Sequence, residues 1–146
     1  LLLGLKKLFR WAALLLTAAR SGGTPPPAVG QTAVVRGRLM ELLAREFMQP
    51  EEADQAFVIG IFSMLDQMLG MPLASAVGLL HLPDNLSAAL LQRDNVYGQL
   101  LSLAEACESG DDSRFDQAAQ ALPLSSQQIN WAHLQALAWA DQVAQA

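Results

Sequence analysis

Leucine and alanine fill 27 and 24 of the 146 positions, whereas valine, isoleucine and threonine together fill 13. That imbalance constrains the fold more than any other feature. Sheets draw on β-branched side chains, and Leu and Ala are among the strongest helix formers. The composition therefore predicts an all-α protein and excludes a β-sandwich or a parallel sheet. With 52% hydrophobic and 16% charged residues, the chain is too apolar to be disordered as a whole. Its length allows one domain or part of one.

Helical periodicity and breakers divide the chain. Leu2 to about Arg20 reads as one helix. Residues 21–28, containing Ser21-Gly22-Gly23-Thr24 and Pro25-Pro26-Pro27, read as a flexible connector. Val35, Leu39, Leu42, Leu43 and Phe47 mark the next helix, with Arg36, Arg38, Glu41 and Arg45 on its remaining faces. Pro50 with Glu51, Glu52 and Asp54 opens a very apolar helix. Its stripe, Phe57, Ile61, Leu65, Met68 and Leu69, continues to a stop at Gly70 and Pro72, and it belongs in the middle of the domain. Shorter helices follow: one over residues 73–80, one capped by Asp84 or Asn85, one through Tyr97 to Cys107 and closed by Gly110, and one opened by Asp111 and Asp112. A last helix is fronted by a capping box from Ser125 to Gln128. The expectation is an irregular bundle of six to eight helices.

Charge is uneven. Residues 1–45 carry a net +6 and residues 46–146 a net -11, giving the total of -5. Two halves of one domain that attract each other would explain this split. The acidic total argues against general nucleic-acid binding. In residues 1–19, Lys6, Lys7 and Arg10 interrupt the apolar run, which leaves it too short to span a bilayer. The charges are also misplaced for a secretory signal. Cys107, the single cysteine, cannot form an intrachain disulfide. It falls on an apolar stripe as a small packing residue, consistent with a reducing cytoplasm.

Groups suited to catalysis are few. His81 and His133 are the only histidines, and Pro83 keeps His81 and Asp84 from sharing one helical face. No H-x-x-x-H, C-x-x-C, glycine-rich phosphate loop or G-x-S-x-G occurs. No cofactor is implied. Arg36, Arg38 and Arg45 are the candidates for contacts with a partner or a phosphate; the alternative is that they are solvated or paired with the acidic half.

Four stretches carry a resemblance. Residues 33–44, Ala-Val-Val-Arg-Gly-Arg-Leu-Met-Glu-Leu-Leu-Ala, resemble the R-A-R-F-x-E-L-L-A helix of HDOD domains that follow EAL domains in bacterial signalling proteins. Residues 56–66, Ala-Phe-Val-Ile-Gly-Ile-Phe-Ser-Met-Leu-Asp, are similar to that group's A-F-L-V-G-L-L-S-L-L-D helix. Residues 136–141, Ala-Leu-Ala-Trp-Ala-Asp, match its A-L-x-W-A-D ending, and residues 3–8 with Trp11 match an L-G-x-x-x-L-x-x-W helix midway through the domain. The resemblance implies that residues 1–146 are the larger, C-terminal part of one HDOD-type domain. The elements that would precede Leu1 have no counterpart, so the face of Leu1, Leu2, Leu5, Leu8, Trp11 and Leu15 is expected to be covered by another chain or by a non-native arrangement.

HDOD domains resemble HD-superfamily phosphohydrolases, whose G-L-L-H-D helix binds a divalent metal through its His and Asp. The matching positions here are Ser63 and Met64. A hydroxyl and a thioether supply neither the imidazole nor the hard oxygen such an ion needs. The resemblance thus implies a non-catalytic output domain in cyclic-di-GMP-related signalling. Its partners would be proteins or an upstream EAL or receiver domain, and homodimerisation is open to it. The competing reading is an HD-type metal-dependent phosphohydrolase, for which Asp66, Asp84, His81 and His133 are the only candidate ligands. A third is a nucleotide sensor that uses the three arginines for phosphates.

Overall fold

The computed structural model describes residues 27–80 and 82–145, with the side chains of residues 27–29, 68–69, 79–80 and 143–145 outside the description. The expected first helix, most of the connector and His81 therefore lie outside the described residues. Within them the chain is all-α, with eight helices: α1 (Pro27–Arg45), α2 (Pro50–Phe62), α3 (Leu65–Leu69), α4 (Leu73–Leu80), α5 (Asp84–Gln92), α6 (Asn95–Ser109), α7 (Asp112–Gln120) and α8 (Ser126–Gln145). The described part of α1 already includes Pro27 and Ala28, the last two residues of the expected connector.

Helices α1 and α2 form the centre, and α1 also packs along α8. Helix α2 is enclosed from Ala56 to Phe62 without interruption, as a helix apolar on every face must be. Its start follows the sequence: Pro50 lies in the first turn, and the Glu52 carboxylate accepts the Gln49 N–H at 3.1 Å. Around this pair, α6 contributes Leu100, Leu101, Leu103 and Ala104, and α8 contributes Ile129, Ala132, Ala136 and Ala140.

Two local expectations need correction. The apolar run from Pro50 to Leu69 is two helices, not one, because the chain turns at Ser63 and Met64. The Ser63 hydroxyl donates to the Gly60 carbonyl at 2.7 Å, and the Met64 N–H reaches only as far back as Ile61. Such back-bonding by serine bends helices. Neither Asp84 nor Asn85 caps α5. Pro83, extended at ψ 151°, leads directly into Asp84 as the first helical residue.

Other signals hold. Asp111 accepts the N–H groups of Ser113 and Arg114 at the start of α7. Ser125 and Gln128 form the reciprocal pair expected at the start of α8, at 2.8 and 3.1 Å. Gly70 and Gly110 end their helices at φ 68° and 70°, the left-handed conformation that glycine adopts most freely.

Candidate functional site

The centre of interest is the crossing of α1 over α2, and two glycines create it. A methyl group on Gly60 would stand 2.5 Å from the Gly37 Cα and 2.7 Å from its nitrogen. One on Gly37 would stand 2.9 Å from the Phe57 carbonyl oxygen. The backbones therefore touch, and the neighbours of each glycine are carried to the opposite helix. Arg36, one residue before Gly37, reaches Ser63 at the end of α2.

Arg36 is 11% exposed, and its fork is filled. Nη1 donates to the Ser63 hydroxyl at 2.8 Å, while Nε and Nη2 each donate at 2.8 Å to one oxygen of the Glu108 carboxylate, at the end of α6. This is the bidentate geometry in which arginine binds carboxylates most strongly. Burial works against its charge, but the Glu108 hydrogen bonds and charge outweigh it. Glu105 and Asp66 add to them, so the guanidinium is held even more firmly protonated than usual. One side chain thus ties α1, the end of α2 and the end of α6 around a fixed positive charge. Met64, beside Ser63, is 4% exposed and packs into the core.

A second cluster lies along α1 against α8. Glu41, which periodicity placed on the outer faces, is fully buried. Arg38 donates to it at 2.9 Å and Arg45 at 3.2 Å. The Arg38 guanidinium also lies 5.1 Å from the ring centre of Trp139, and Trp139 meets Phe57 edge-on at 6.0 Å. All three candidate arginines are therefore engaged by carboxylates. Arg36 pairs with the acidic half, as the charge split suggested. Arg38 and Arg45 instead serve a carboxylate on their own helix. The i,i+4 spacing of Glu41 and Arg45 was legible in the sequence; the burial of Glu41 was not. The signal for the crossing was present in two isolated glycines inside helical patterns, which often mark close backbone approach.

Of the four candidate metal ligands, His81 lies outside the described residues, and the other three sit on three different helices. Asp66 lies in α3, Asp84 opens α5 and His133 lies in α8. Among the described residues, no three His, Cys, Asp or Glu side chains are placed to hold a metal ion. His133 instead borders a shallow cleft of about 240 Å³ with Cys107, Asp111, Asp112, Phe115 and Asn130. Burial, reinforced by the neighbouring Glu108 charge, pushes the Cys107 thiol up to about 11. Burial, with Glu52 adding to it, pushes the Tyr97 phenol up to about 12. Both groups ionise more readily in the unfolded chain, so stability should fall as pH rises from about 8.5 towards 12. Cys107→Ala with Tyr97→Phe should move the midpoint of alkaline unfolding upward, as followed by circular dichroism. At pH 8 the folded chain should react with iodoacetamide roughly a hundredfold more slowly than the unfolded chain, because only the thiolate attacks.

Fold and site together define an all-α bundle whose central helix crossing is locked by an arginine. Relatives can be recognised at the level of sequence. The chain is 30% identical over 141 residues to the uncharacterized protein YuxH of Bacillus subtilis (strain 168), covering 95% of this chain and 34% of that protein. It is 28% identical over 129 residues to the cyclic di-GMP phosphodiesterase CdgJ of Vibrio cholerae serotype O1, covering 88% of this chain and 30% of that protein. The chain thus spans about a third of the length of these relatives. No family model matches the chain, and no solved structure does. Among the described residues, no helix is long and apolar enough to cross a membrane.

Proposed function

We propose that this chain is a non-catalytic regulatory domain of the HDOD type, acting through protein–protein contacts within a cytoplasmic, cyclic-di-GMP-related signalling protein. The observation that carries this reading is the Arg36 guanidinium seated on the Ser63 hydroxyl and held by Glu108. By the HDOD resemblance, Ser63 and Met64 stand where catalytic HD proteins place a metal-binding His and Asp. Here that seat holds a permanent cation supplied by the chain itself. A divalent ion approaching it would meet like charge, a hydroxyl already donating to Gly60, and a thioether turned into the core. The residues present do not fit a catalytic metal.

The remote similarity to a cyclic di-GMP phosphodiesterase supports the pathway, with the chemistry assigned to another part of the longer protein, such as an EAL domain. The role of this region is then to control that part's assembly or activity by contact. Removing residues 1–146 from the longer protein should change its oligomeric state or its cyclic-di-GMP-dependent output. If both stayed the same, the reading would be wrong.

A further inference from the structure

We infer that the outer face of α8 is a docking surface for a second copy of this chain, paired antiparallel about a two-fold axis at Leu134. Three large apolar side chains stand out of this helix: Trp131 is 64% exposed, Leu134 61% and Leu137 44%. Their spacing of three places successive members on adjoining turns of one side. The other side of α8 is already spent on the core through Ile129, Ala132, Ala136 and Ala140.

Charge argues for a like partner. The molecule carries a net -5, so copies repel over most approaches. Between Ser126 and Ala140 the helix contains no Asp, Glu, Lys or Arg. The apolar stripe is flanked by exposed amides, Gln127 and Gln135 among them. Two identical molecules can meet here without bringing like charges together.

The spacing argues for the symmetry. Trp131 and Leu137 lie three residues on either side of Leu134. A two-fold axis there sets Trp131 of one copy against Leu137 of the other, and the reverse, which is the self-complementary pattern of an isologous contact. The same register sets Asp141 against Gln127. A parallel pairing would set Asp141 against itself. Tryptophan is the residue type most enriched among interface residues that dominate affinity. One helix pair is a small interface, so the association belongs to the weak, reversible class.

This inference does not depend on the cyclic-di-GMP assignment, because oligomeric mass and signalling output are separate readouts. The test is sedimentation equilibrium of the 146-residue chain over a wide micromolar range. The expected result is a reversible rise from monomer to dimer mass. Trp131→Glu should weaken it by roughly thirtyfold or more, with helicity and the melting temperature of the dilute monomer unchanged because the side chain is exposed. In a Cys107→Ala background, Leu134→Cys should form a disulfide-linked dimer under mild oxidation, and Asp116→Cys, on α7, should not. A monomer at every concentration, with no cross-link through position 134, would overturn the proposal and leave the face to another occupant. A dimer indifferent to both substitutions would overturn it equally, by placing the contact elsewhere.

Discussion

Gly60→Ala should lower the melting temperature by about 10 °C, a loss of about 3 kcal/mol for a domain of this size. The added methyl group would stand 2.5 Å from the Gly37 Cα, a distance that no side-chain rotation relieves because the obstacle is backbone. The two central helices must separate, and each core contact along the crossing loosens. The loss should reach beyond packing. Arg36 follows Gly37 outward, lengthening its bonds to Ser63 and Glu108. Gly78→Ala is the matched control, since a methyl group there meets nothing within 4 Å. It should be neutral or stabilise by about 0.5 to 1 kcal/mol through better helix propensity. Thermal melts of both variants check the pair; equal effects would show that the backbones do not touch at Gly60.

Arg38→Ala should be the next most damaging change, costing about 3 kcal/mol in denaturant unfolding. It removes a cation 2.9 Å from a fully buried carboxylate and withdraws the guanidinium from the Trp139 ring. Arg45→Ala should cost roughly 1 kcal/mol or less, because Arg45 is half exposed and its contact with Glu41 is longer. The informative variant is Glu41→Gln combined with Arg38→Met. With both charges gone from similar volumes, it should recover part of the Arg38→Ala loss, since a buried pair is worse broken than replaced.

These effects mark what the sequence could and could not disclose. Fold class, the enclosed helix α2, the caps at Asp111 and Ser125 and the glycine stops were legible, because each depends on neighbours a few residues away. The kink at Ser63 was hidden. The apolar stripe ran straight through it, and the Ser63 hydroxyl also accepts from Arg36, 27 residues earlier, a contact that local pattern does not reveal. The role of Arg36 was half visible. Its charge pointed to the acidic half, but the choice of Glu108 needed the Gly37–Gly60 contact, which brings elements distant in sequence together. Glu41 was placed outward for a related reason. A carboxylate on a helix reads as solvated unless its burial against a neighbouring helix, here with Arg38 and Arg45 as partners, is known.

The central claim is that the chain's own guanidinium takes the place of a catalytic metal. The most direct measurement is metal content and phosphodiesterase turnover of the purified chain supplied with Mn²⁺, Fe²⁺ or Mg²⁺. The account predicts no stoichiometric metal and no hydrolysis of cyclic di-GMP. A bound ion at one per chain, with turnover that is lost on its removal, would contradict it.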